Sequence, residues 1–73
     1  MSQLTFEQYD RLERAVARGE RVAMYRRGAE YVVIPLALAS DGGREVVHTR
    51  NPTTGDRISL FLDEIETVEA VGQ

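Results

Sequence analysis

The hydrophobic period of this chain changes once, at Gly19, from 3.6 residues to two, and that single change decides its fold class. Ahead of Gly19, Phe6, Tyr9, Leu12, Ala15 and Val16 recur at helical spacing and predict one amphipathic helix over residues 6–18. Its start is written twice. Thr5 is a good N-cap with Gln8 placed to complete a capping box, while Leu4 and Tyr9 are spaced as a hydrophobic staple. Glu7–Arg11 and Asp10–Arg14 are acid-before-base pairs four apart. Arg18 and Gly19 supply the basic last turn and the left-handed cap that end a helix.

Beyond Gly19 the sequence alternates and is punctuated by turns. Residues 21–26 predict a first strand, and Arg27-Gly28 a tight turn. Residues 30–39 predict a longer second strand, apolar on both faces near its middle. Within it Pro35 marks an edge, a bulge or a bend, because proline cannot donate to a ladder. Asp41-Gly42-Gly43 is a hairpin signal, and residues 45–50 form a third strand. Residues 51–56 read as a loop, 57–62 as a fourth strand, 62–65 as a redirecting turn and 66–71 as a fifth strand. The expectation is one α+β domain over residues 1–73: an N-terminal helix followed by a five-stranded, strongly bent antiparallel sheet. Closure into a small barrel would dispose of the sheet edges, with Tyr9, Leu12 and Val16 plugging one open end.

At 73 residues the core is marginal, and such domains usually need a staple. With no cysteine and a single histidine, disulfides are excluded and structural zinc nearly so. Regular packing or a homo-oligomer remains. The start of the chain shows no targeting pattern, and the longest apolar stretch is too short to span a bilayer. The reading is a soluble cytoplasmic protein with no membrane partner.

Catalysis is not expected. The hydroxyls of Ser2, Ser40 and Ser59 sit in no strand-to-helix elbow. His48 reads as a half-exposed strand residue, and Asp63, Glu64, Glu66 and Glu69 as a solvated acidic edge rather than a metal site. No cofactor is implied. Charge divides along the chain: six Arg face four acids up to residue 27, and three Arg face eight acids beyond it. The overall charge of −3 disfavours tight, non-specific nucleic-acid binding.

Two families share features with these residues, both Sm-like small barrels with an N-terminal helix. Ala-Val-x-x-Gly-Glu-Arg-Val at 15–22, Tyr25, Val-x-Pro-Leu-x-Leu at 33–38, Thr-Gly-Asp-Arg at 54–57 and Phe-Leu-Asp-Glu-Ile-Glu-Thr-Val at 61–68 resemble the WYL domain of bacterial transcriptional regulators. That family's Trp-Tyr-Leu tripeptide would fall near residues 45–47, where this chain has Glu-Val-Val, and Tyr31 stands near the place of its arginine. The resemblance implies a binding module for single-stranded nucleic acid or a nucleotide ligand. Tyr25, Arg26, Tyr31, Arg50 and Arg57 are its candidate contacts, through phosphate pairing and base stacking. Tyr9-Asp10-x-Leu12-Glu13-x-Ala15 and Arg57-x-x-x-x-Leu62-Asp63-x-Ile65 are similar instead to the Rho-binding antiterminator Rof. That alternative implies a protein partner, the transcription termination factor, contacted by Asp10 and Glu13; the arginines on the same helix depart from it.

Overall fold

A computed structural model describes residues 4–71 of the chain. Ser2, among the hydroxyls considered above, lies outside them. Helix α1 runs Phe6–Arg18 and is capped as its sequence predicts. Thr5 Oγ1 accepts from the Gln8 amide at 3.1 Å, and Gln8 Oε1 accepts from the Thr5 amide at 3.3 Å. Gly19 closes the helix at φ 67°, a conformation that a side chain disfavours.

Five strands follow: β1 Val22–Arg26, β2 Ala29–Asp41, β3 Arg44–Arg50, β4 Arg57–Phe61 and β5 Thr67–Ala70, with a 3-10 turn at Leu62–Glu64 before the last. All pair antiparallel in the order β4-β3-β2-β1-β5. The sheet is open, with β4 and β5 as its edges. The β2–β3 hairpin turns on Gly42 and Gly43, both at positive φ (61° and 85°), as a two-residue turn matched to strand twist requires.

Strand β2 is bent. Pro35 pairs with Thr49 and Ala37 with His48, so Leu36 is an extra residue with no partner on β3. The bulge also switches faces. Tyr31, Val33 and Pro35 point to the core before it, and Leu38 after it. This accounts for the strand that reads apolar on both faces. Straight, its 13 residues would span roughly 40 Å at about 3.3 Å each. The whole molecule measures 31 × 26 × 23 Å, so β2 must curl.

Inside the curl lie Leu12 and Ala15 of α1, Val22, Met24, Val33, Val47, Leu60 and Val68 of the strands, and Leu62 and Ile65 of the turn. The only buried polar side chain among the described residues, Thr49, donates to the Ile58 carbonyl at 2.8 Å. Tyr9 packs partly against this core, and Val16 is half-buried.

Two helix expectations fail. Phe6 is 86% exposed, because it lies six residues, or about 120° around the helix at 3.6 residues per turn, from Leu12. The Glu7–Arg11 pair does not form. Arg11 instead donates to the Val68 carbonyl of edge strand β5 at 2.8 Å, while Asp10–Arg14 does pair, at 3.2 Å.

Urea denaturation should rank these positions. We expect Leu12→Ala to cost about 2–5 kcal/mol through the cavity it leaves, and Thr5→Ala about 1 kcal/mol through the lost cap. Phe6→Ala should change stability by less than about 0.5 kcal/mol. A large loss on removing Phe6 would mean that its ring is covered in solution.

Candidate nucleic-acid interface

The arginines of the strands fall into two groups, those bound within the molecule and those left facing water. Arg44, at the start of β3, lies over the Phe61 ring, 3.6 Å from its centre. Its guanidinium donates two hydrogen bonds to Asp63, at 2.7 and 2.9 Å, and reaches Glu64 at 3.4 Å. Arg26, at the end of β1, meets the same Glu64 at 3.5 Å, donates to the Tyr31 hydroxyl at 2.9 Å and stands 5.2 Å over that ring. Arg26 and Arg44 flank opposite ends of β2, so one carboxylate ties both ends of the curled strand to the 3-10 turn. Asp63 and Glu64 are therefore braces, not the solvated edge their sequence suggests.

The brace is charge-dependent. Hydrogen bonding from Arg44 holds the Asp63 carboxyl below the usual carboxylate range, and the Arg44 guanidinium is correspondingly raised. A carboxylate depressed on folding contributes stability above its unfolded pKa and loses it as the pH falls through the folded one. Two phenols titrate the other way: hydrogen bonds to Glu45 and Glu30 raise Tyr9 and Tyr25, which stay protonated donors.

Arg50 and Arg57 form the second group. They are direct cross-strand partners at the end of the β3–β4 hairpin, and neither has an acidic partner among the described residues. The loop behind them is tightly held. Asn51 Oδ1 accepts from the amides of Thr53 and Thr54, at 2.8 and 3.1 Å. The Asn51 amide donates to the Asp56 carbonyl at 2.8 Å, and that of Gly55 to the Asn51 carbonyl at 2.8 Å. Two like charges directly opposite each other are destabilising. Here the loop holds them together.

Register extends this pair into a surface. On the outer face, away from the core, Arg50–Arg57 is followed by His48–Ser59 and then Val46–Phe61, with Ala37 and Ala39 of β2 alongside. His48 Nδ1 and Ser59 Oγ are 2.8 Å apart. Over the His48–Ser59 and Val46–Phe61 rows, as far as Asp41, lies an open groove of about 330 Å³ with a mostly apolar lining; Arg50 and Arg57 stand beside it rather than in it. Such a volume is at the small end of ligand sites, which run about 300–1,000 Å³.

The five residues proposed as contacts thus separate. Arg50 and Arg57 share the outer face. Arg26 and Tyr31 sit on the core face and bind each other, and Tyr25 lies on the outer face of β1, bonded to Glu30 at 2.9 Å. Asp10 is engaged by Arg14, and Glu13 is exposed on α1. His48, Ser59, Phe61 and Asp41 were not singled out as contacts; the register that aligns them with the arginine pair is their only signal. No three His, Cys, Asp or Glu converge as metal ligands among the described residues, and no helix there is long and apolar enough to cross a membrane. No family model, curated protein or solved structure matches this chain.

Lowering the pH from 5 to 3 should reduce the urea midpoint, and Asp63→Asn should remove part of that dependence. Equal pH dependence in the two proteins would mean that Arg44 does not brace the fold through Asp63.

Proposed function

We propose that this chain is a non-catalytic binding module that takes single-stranded nucleic acid or a nucleotide on the outer face of β2, β3 and β4, in transcription-related regulation. One observation carries the reading. The cross-strand pair Arg50–Arg57 is closed off by a hydrogen-bonded loop and has no acid to neutralise it among the described residues. An arginine pair of this kind matches a phosphate, whose oxygens accept the forked N–H groups of guanidinium. The neighbouring His48 offers a ring to a base, with Phe61, one face of which Arg44 covers, adding apolar surface beside it; stacking on a ring tolerates any sequence.

This is the role that the WYL resemblance implies, with a different set of contacts. Arg50 and Arg57 stay in the site, and Arg26 and Tyr31 become structural. The Sm-like barrel belongs to the same proposal: a helix ahead of five antiparallel strands, a curled β2, and one carboxylate bridging its two ends all favour it. The net charge of −3 keeps the binding weak, and its salt dependence comes from the phosphate contacts of the two arginines.

Fluorescence anisotropy with a labelled single-stranded oligonucleotide tests the proposal. Affinity should fall as salt rises, and Arg50→Gln or Arg57→Gln should each lower the log–log salt slope by about 0.7, the value for one phosphate contact on a single strand. Arg18→Gln, on the helix, should leave it unchanged. Salt-independent binding, or wild-type behaviour of both strand variants, would rule out this face.

A further inference from the structure

We infer that the groove beside the arginine pair prefers guanine over the other bases, and that Asp41 makes the choice. This rests on the nucleotide reading above and goes one step further, from the phosphate to the base. The outer face has polarity. Arg50 and Arg57 stand in the register row next to the groove's His48–Ser59 end, and Asp41 lines the groove at its other end. The two end rows are six steps apart along β3, from Arg44 to Arg50, roughly 20 Å between Cα atoms at about 3.4 Å each. In this proposal one nucleotide fills the gap that an arginine and an aspartate side chain would leave between those rows. The carboxylate repels a phosphate and the arginines attract it, so the base is directed to the Asp41 end.

Asp41 is exposed, and its carboxylate has no hydrogen bond or ion pair among the described residues. Its register partner is Arg44, which would be expected to neutralise it. Arg44 is instead committed to Asp63 and Glu64, with its plane against Phe61. The groove therefore keeps a carboxylate that only accepts hydrogen bonds, through two oxygens side by side.

Among the common bases, guanine alone presents two adjacent donors on its Watson–Crick edge, N1–H and the N2 amine. Adenine and cytosine place a ring-nitrogen acceptor beside their amine, and uracil and thymine place carbonyls on both sides of one N–H. Each of those sets a lone pair against a carboxylate oxygen. A base resting on Ala39 and Val46, between His48 and Phe61, would turn that edge toward Asp41.

Titration calorimetry with the 5′-monophosphates of guanosine, inosine, adenosine and uridine separates the layers of this inference. We expect guanosine monophosphate to bind roughly tenfold or more tightly than the adenosine and uridine compounds, the discrimination typical of one bidentate base contact. The inosine compound, which keeps N1–H and lacks the amine, should fall between them. Asp41→Asn should bring guanosine down toward adenosine while leaving adenosine binding intact. The Arg50→Gln/Arg57→Gln double variant should lose all four. Equal affinities for the four nucleotides, abolished by the double variant, would overturn the guanine preference and leave the phosphate site standing. Absence of binding by any of them would overturn both. The inosine comparison is made on the unmodified chain, so the preference is tested even where a variant does not fold.

Discussion

One unpaired residue in the second strand, Leu36, governs most of what this molecule is. The bulge there bends β2 and exchanges its faces, so that Val33 and Leu38 both reach the core although they differ by an odd number of positions. Without it, Ala37 and Ala39 would point inward and Leu38 outward, and the core would lose its packing with Leu38. Proline supports the bend from within. Pro35 is buried and has no N–H to give, so the ladder is already interrupted where the extra residue enters. The register beyond the bulge then sets which side chains of β3 and β4 share the outer face.

A curled sheet of this size has few ways to hold its shape. This one uses arginine. Arg11 covers a carbonyl of edge strand β5, and Arg26 and Arg44 draw the two ends of β2 onto Glu64. These groups are partly exposed, and single pairs of that kind contribute little. Their value lies in geometry: they position the 3-10 turn whose Leu62 and Ile65 complete the core. Against that background Arg50 and Arg57 are conspicuous, because the same fold leaves them facing each other and the solvent. The difference between a bound arginine and an unbound one is the physical basis for assigning function here.

Local features were legible in the sequence. The Thr5–Gln8 box, the Gly19 cap, the hairpin at Gly42-Gly43 and all five strands depend on neighbours in the chain, and they lie within one or two residues of their expected places. Long-range consequences were less so. Phe6 fits a helical stripe, yet the sheet meets α1 around Leu12 and Ala15 and leaves the ring outside. Glu7 and Arg11 have the right spacing, but a carbonyl on β5 is the better partner and is invisible to spacing. The five candidate contacts were joined by residue type and family likeness. Face alternation then divided them, since Arg26 and Tyr25 are consecutive on one strand and must point opposite ways. Pro35 announced a bulge, a bend or an edge, and only the register showed that it precedes a bulge.

The central claim is that the outer face of β2, β3 and β4 is the binding face, and amide chemical-shift mapping with a short single-stranded oligonucleotide tests it most directly. The account predicts shifts confined to residues 37–41, 46–50 and 57–61, strongest beside Arg50 and Arg57. Shifts centred on α1, or on the Arg26–Tyr31 contact at the mouth of the core, would contradict it.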